Sequence, residues 1–246
     1  MQQLQICDLG LVPYADALAL QLRLRDARQA DEIPDTLLLL EHPAVYTRGR
    51  RSTPQELPLG EGFYAAQGIE IVEVDRGGKV TYHGPGQLVG YPIMRIGDII
   101  GYLRTMERAI IAALAQEGID AQGGGERPTG VWAPGGKIAS IGVHVSRRVT
   151  THGFAVNVSN DLEPFEWIVP CGLEGVRITS IEREHGGTQV ERERGGTPVS
   201  SEHGATTTLT AFRALMAEQF SHAFERRAQT VAPDALTAAL AAPVAG

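Results

Sequence analysis

The chain has 246 residues, 43% of them apolar, which is enough for one sizeable hydrophobic core, and no apolar run approaches the ~20 residues that cross a bilayer. A net charge of −7 argues against nucleic acid as a partner. Two cysteines without CxxC spacing argue against a disulfide framework or a zinc site. Met1-Gln2-Gln3-Leu4-Gln5 has no basic segment followed by an apolar one, so no signal peptide and no membrane partner are expected, and the expected location is the cytoplasm.

Leu4–Leu9 alternates as a strand, and Pro13 opens a helix to about Arg28 with Leu18 and Leu22 on one face. Thr36–Glu41 is a buried strand ended by His42-Pro43. Ile69–Asp75 is a strand entering the Gly77-Gly78 turn, and Val80–Tyr82 and Leu88–Ile93 flank the turn His83-Gly84-Pro85-Gly86. Asp98 caps a helix to about Glu117, with Leu103, Met106, Ile110 and Leu114 on one side and Gly118 at its end. Gly130–Trp132 and Lys137–Val145 form a hairpin around Pro134-Gly135-Gly136, and Phe154–Val158 is a further strand. Thr179-Ser180-Ile181-Glu182 has the spacing of a capping box. Leu209–Arg226 is an amphipathic helix with Leu209, Phe212, Met216, Phe220 and Ala223 on one face.

Regular βα alternation is absent, so the fold class is α+β, a mixed or antiparallel sheet packed by helices, not a doubly wound nucleotide-binding fold. One catalytic domain is expected over residues 1–228. Within it, residues 185–205 are rich in Gly, Glu, Arg and Ser and are expected to form a flexible loop. Residues 229–246, largely alanine from Pro233 onward, are expected to fray.

Two residues carry nucleophile chemistry. Cys171 sits between Pro170 and Gly172, on a turn that would present its sulfur. Lys137 follows two glycines and opens an otherwise apolar strand, where desolvation would suit it as a base, or its ammonium as a partner for a thiolate. A buried thiol and a surface lysine are the plainer alternative. Cys7, inside an alternating strand, is a packing residue. The run Arg76-Gly77-Gly78-Lys79-Val80-Thr81-Tyr82-His83 allows close backbone approach to a ligand, with Arg76 and Lys79 to hold an anion, Tyr82 to wall an apolar tunnel and His83 to orient or relay a proton. A glycine-rich hairpin that only turns is the alternative there. The run fits neither GxxxxGK[ST] nor GxGxxG. Basic clusters at Arg48, Arg50, Arg51 and at Arg147, Arg148 are either solvated charge or a surface for an acidic partner.

Taken together, Arg76–Ile93, Gly135–Val145 with His152–Asn157, and Pro170-Cys171-Gly172-Leu173 with Thr179-Ser180 resemble the lipoyl (octanoyl) transferase family, the octanoyl-[acyl-carrier-protein]:protein N-octanoyltransferases of lipoate biosynthesis. The resemblance covers roughly residues 4–182, and Leu209–Phe224 resembles the family's closing helix. It implies the fold shared by biotin and lipoate protein ligases. It implies Cys171 as the acyl-thioester nucleophile, activated by Lys137. Arg76 through His83, Ser140, Ile141, Gly142, Gly153, Phe154 and Ala155 would line the acyl site. The implied donor is octanoyl-acyl carrier protein, and the implied acceptors are lipoyl domains of 2-oxoacid dehydrogenase complexes and the glycine cleavage H protein. No metal or organic cofactor is implied. The alternatives are an ATP-dependent lipoate or biotin protein ligase, which needs no cysteine, and a noncatalytic module that binds acyl carrier protein or lipoyl domains.

Overall fold

The computed structural model describes residues 2–125, 129–169, 176–186 and 208–240. In chain order the elements are β1 (Gln2–Leu11), α1 (Tyr14–Gln29), β2 (Asp35–Glu41), β3 (Val45–Arg48), α2 (Glu61–Ala66), β4 (Glu70–Glu73), β5 (Val80–His83), β6 (Gln87–Ile93) and α3 (Ile99–Gln116). There follow β7 (Gln122–Gly123), β8 (Gly130–Ala133), β9 (Gly136–Ser146), β10 (Val149–Asn157), α4 (Glu163–Glu166), α5 (Ile181–His185), α6 (Leu209–Ala223), β11 (Arg226–Thr230) and α7 (Pro233–Ala239).

Among the described residues the main sheet has eight strands in the order β11-β1-β2-β6-β10-β9-β8-β7, and a second sheet has the order β4-β3-β5. β1 runs parallel to both β11 and β2, while every pair from β2 to β7 is antiparallel. The class is therefore mixed α+β, as the missing βα alternation indicates.

The main sheet is covered on both faces, and β2 records this in its sequence. Leu37 and Leu39 enter the core beneath α3 and α6, and Leu38 and Leu40 enter the core beneath α1. A strand buried on both sides reads as an unbroken apolar run, not as an alternation. Cys7 is fully buried in the α1-side core, as its place in the alternating strand indicated, and burial raises its thiol to about 11, assisted by Asp8. A third core holds Tyr46, Tyr64, Tyr82 and Phe165 between the small sheet and α4.

Helix ends follow local chemistry. The Asp98 carboxylate accepts from the backbone N–H of Ile100 at 3.1 Å and Gly101 at 2.7 Å, and the Thr208 hydroxyl accepts from Ala211 at 3.2 Å. Three sequence expectations are corrected. The buried face of α1 is Tyr14, Ala17, Gln21, Leu24 and Ala27, whereas Leu18 and Leu22 are only partly covered. Gln21 belongs to that face because its amide oxygen accepts the His152 N–H at 2.7 Å. At α5 the cap is Ser180, which accepts from Arg183 N at 3.1 Å, and not Thr179. Residues 229–240 do not fray: they complete β11 and form α7, whose Leu236 is buried against the α1-side core. Residues 187–205 of the expected loop, and 241–246, lie outside the described residues. No helix among the described residues is long and apolar enough to cross a membrane.

Phe154 crosses the sheet directly over Gly90, its partner on β6, and stacks on Phe220 of α6 at 6.1 Å. A Cβ on Gly90 would overlap the Phe154 ring. Gly90→Ala is expected to destabilise by about 1–3 kcal/mol through overpacking. A urea titration checks this, with the midpoint falling and the slope unchanged.

Candidate functional site

Lys137 is placed by backbone on three sides. β9 begins at the Gly135-Gly136 turn, where Gly135 N donates to the Glu184 carboxylate at 3.1 Å. A Cβ on Gly136 would overlap the Arg177 carbonyl, and that carbonyl accepts Lys137 N–H at 2.8 Å. Thr179 N donates in turn to Lys137 O at 3.1 Å. Lys137 thus pairs with the segment that follows Pro170-Cys171-Gly172. Its side chain is buried, with Nζ 5.9 Å from the centre of the Trp132 ring. The stem fits because the residue beneath it is glycine: a Cβ on Gly130 would lie 2.7 Å from Lys137 Cε. Thr179 is fully buried, and its hydroxyl donates to Glu184 at 2.5 Å while its carbonyl accepts from Asn157 Nδ2 at 3.0 Å.

Lys137 opens into a cavity of about 610 Å³. Arg76, Gly77, Gly78, Lys79, Val80, Thr81, His83, Ser140, Ile141, Gly142, Gly153, Phe154 and Ala155 line it with Lys137. Tyr82 does not: its ring packs on Tyr46 at 5.6 Å and Phe165 at 5.5 Å, on the other side of β5. Cys171 lies outside the described residues.

Glycine makes this wall close-fitting. Gly142 and Gly153 are cross-strand partners, and a Cβ on Gly142 would meet the Gly77 carbonyl at 2.9 Å. Gly77 N donates to Val143 O at 3.0 Å, so the di-glycine loop lies directly on β9. Arg76 fixes that loop from behind, donating to Thr47 O at 2.7 Å and Gly77 O at 3.0 Å. Lys79 is paired with Glu56 at 2.9 Å.

Of the cavity's polar floor the sequence singles out His83, but not Tyr14, Tyr91 or His42. Tyr14, Tyr91 and His152 line it, and His42 supports it from behind. His42 Nδ1 donates to Val12 O at 2.7 Å, which leaves Nε2 to accept from the Tyr91 hydroxyl at 2.7 Å. His152 Nε2 donates to the Asp75 carboxylate at 2.7 Å, and the Tyr14 hydroxyl lies 3.3 Å from Nδ1. His42-Pro43 was legible only as a strand end. Nothing in the sequence places Tyr14 beside residues 138 positions away.

Burial decides the charge of this floor. It pushes His42 down to about 4 and His83 to about 3, the latter helped by neighbouring His42. It lowers His152 as well, against the opposing pull of Asp75. Tyr14 is raised to about 12, again mainly by burial. At neutral pH the three imidazoles are uncharged, and the floor suits an uncharged, largely apolar ligand. Among the described residues no cluster of His, Cys, Asp or Glu could hold a metal ion.

The model of the lipoyl protein ligase A/B catalytic domain matches residues 13–221. The chain belongs to that family. An octanoyltransferase of Acidobacterium capsulatum is 48% identical over 199 residues, covering 74% of this chain and 80% of the relative. One of Geobacter sulfurreducens is 49% identical over 187 residues, covering 74% and 76%. Among solved structures, lipoate-protein ligase A bound with ATP aligns with a TM-score of 0.67 over 98% of this chain and 92% of its own, at 16% identity. The bi-partite lipoate protein ligase of Thermoplasma acidophilum, studied with its E2 lipoyl domain, aligns with a TM-score of 0.66 over 98% and 91%, at 17% identity. At these identities the likeness is one of fold, and the fold is that of lipoate protein ligases.

The neutral histidines link stability to pH. Unfolded His42 and His83 take up protons near pH 6.5, while the folded ones wait until about 4 and about 3. Between these limits the unfolded state holds more protons, so stability is lost as pH falls. Near pH 5 the two together give a slope of up to about 2.7 kcal/mol per pH unit. Urea midpoints at pH 7, 6 and 5 are expected to fall progressively, and His42→Gln is expected to flatten the decline.

Proposed function

We propose that this chain is an octanoyltransferase that carries an eight-carbon acyl group from acyl carrier protein to a lysine of lipoyl domains, through a thioester on Cys171. One arrangement carries the reading. Lys137 opens into the acyl-sized cavity while its backbone is bonded to residues 177–179, six residues beyond Cys171. The octanoyltransferase names of relatives near half identity support the reaction class over ATP-dependent ligation, although the fold is shared with an ATP-bound ligase.

In the first half-reaction the Cys171 thiolate, paired with the Lys137 ammonium, attacks the thioester carbon of the donor. The oxyanion is met by backbone N–H groups of the Ser140–Gly142 and Cys171-Gly172 segments. The carrier thiolate leaves and takes a proton from Lys137. In the second, the acceptor amine attacks the acyl-enzyme, neutral Lys137 takes the proton it sheds, and the Cys171 thiolate departs. The ion pair is restored. A thioester is replaced by an amide, so the sequence runs downhill without ATP. The acceptors are lipoyl domains of 2-oxoacid dehydrogenase complexes and the glycine cleavage H protein, in the cytoplasm. The reading is consistent with the E2 lipoyl domain studied beside the Thermoplasma ligase.

Cys171→Ala is expected to lower transfer roughly 10³-fold or more while the urea midpoint holds. Intact mass after mixing with octanoyl-acyl carrier protein is expected to show an octanoyl adduct on Cys171. Retention of wild-type turnover by Cys171→Ala would end the covalent mechanism. Lys137→Arg is expected to stay inactive, because arginine keeps the charge but gives up no proton near neutral pH.

Docking of an acidic carrier onto an acidic enzyme needs local positive charge. Arg147 and Arg148 form the tip between β9 and β10, and both hold positive φ, 45° and 66°. Side chains other than glycine hold that conformation at a cost, and such strain collects at functional surfaces. Reversing both to Glu is expected to raise KM for the carrier-bound donor roughly tenfold at low salt, with little change for a small octanoyl thioester. Equal loss with both donors would move these arginines out of the docking role.

A further inference from the structure

Beside the cavity, four buried residues form a line of amide hydrogen bonds whose direction follows from chemistry alone. Backbone carbonyls only accept. Asn157 Nδ2 therefore donates to Thr179 O at 3.0 Å, and its Oδ1 is left to accept from Gln87 Nε2 at 2.9 Å. Gln87 Nε2 also donates to Tyr82 O at 3.2 Å, which fixes that amide a second time. Gln87 Oε1 must then face His83 Nδ1, 2.7 Å away, so Nδ1 carries the proton. In the neutral ring Nε2 is left as a bare lone pair. Burial keeps the ring neutral, holding it down at about 3. Among the described residues no hydrogen bond reaches Nε2, and the ring is one of those that line the cavity.

A fixed acceptor selects what it meets. The acyl chain has no donor. The thioester carbonyl and the oxyanion are themselves acceptors and would be repelled. The attacking amine is the reactant that brings an N–H to the acyl carbon. We infer that His83 Nε2 receives an N–H of the acceptor lysine as its nitrogen attacks the acyl-enzyme, which makes His83 the amine-orienting residue of the second half-reaction. The inference rests on the thioester reading proposed above. His83 takes up no proton in this step. The C–N bond forms, the C–S bond breaks with its electron pair returning to sulfur, and the proton shed by the amine goes to Lys137. Gln87 and Asn157 are positioning residues. The same line reaches Thr179, whose N–H holds Lys137 O, so the ring and the lysine share one support.

The test separates the half-reactions by intact mass under single-turnover conditions. Enzyme is loaded from octanoyl-acyl carrier protein, the adduct is isolated, and an unmodified lipoyl domain is added. His83→Phe keeps a ring against Tyr14, now stacked at 6.1 Å, and removes both nitrogens. His83→Ala removes the ring, and Gln87→Leu leaves the ring but frees its tautomer. Each variant is expected to form the adduct, which also shows that it folds. Consumption of the adduct is expected to slow at least roughly tenfold more than its formation for both His83 variants, and by a smaller factor in the same step for Gln87→Leu. If formation and consumption slow equally, or only formation slows, His83 serves donor binding and the inference is overturned while the thioester reading stands. A wild-type enzyme that forms no adduct on Cys171 would overturn both.

Discussion

Everything at the candidate centre depends on how Thr179 is held. Each of its polar groups is used: the N–H on Lys137, the hydroxyl on Glu184, the carbonyl on Asn157. A fully buried threonine with all three satisfied is a rigid junction, because releasing any one partner leaves an unpaired polar group in the core, at roughly 1–3 kcal/mol. Through it the opening of β9, the end of β10 and the start of α5 become one unit. Lys137 is thereby fixed by main-chain bonds, and its long side chain needs only the room that Gly130 leaves. This differs from a surface lysine, whose position is set by weak and screened ion pairs.

The cavity follows from the same economy of side chains. Gly77, Gly142 and Gly153 let a loop and two strands approach to backbone distance, which closes the wall, while Arg76 turns its guanidinium toward Thr47 and Gly77. The floor is polar in composition and neutral in charge. Tyr91 is bonded to His42 and Tyr14 to His152, and burial keeps these tyrosines and histidines un-ionised. A floor of this kind accepts an alkyl chain without leaving a desolvated charge beneath it. Its hydroxyls and imidazoles are also rigid, since moving one would break the bonds of the next.

Much of the scaffold was legible because it is local. The α3 cap reads from Asp98, the β8–β9 hairpin from Pro134-Gly135-Gly136, and the doubly buried β2 from its leucines. Elements without a periodic signal were not. β11 is Arg226–Thr230, largely exposed, and it is a strand only because β1, more than 200 residues earlier, offers it a parallel edge. The face of α1 was misplaced because Gln21, polar by type, is buried by its bond to His152. The cavity-lining glycines, Lys137 and His83 could be singled out in sequence, since glycine runs and an isolated lysine in an apolar strand are local anomalies. Tyr14, Tyr91 and His42 could not, because what distinguishes them is one another's company.

A fold shared with an ATP-bound ligase cannot by itself decide the reaction. The sheet supplies a lysine, a cavity and a neutral floor, and these would serve an adenylate and a thioester alike. On the thioester reading proposed above, what separates the two chemistries is Cys171 as nucleophile, together with a means of admitting an amine in place of water. The lone pair that Gln87 fixes on His83 meets the second need. It is directed by two backbone carbonyls through two side-chain amides, so it cannot be reversed without leaving a buried amide unpaired. Water could also donate to that lone pair, but a lysine arriving on a folded domain is held by the docked surface as well, and its nitrogen is positioned from both ends. Selectivity for the amine then comes from orientation and not from basicity, which is consistent with an imidazole that stays unprotonated throughout.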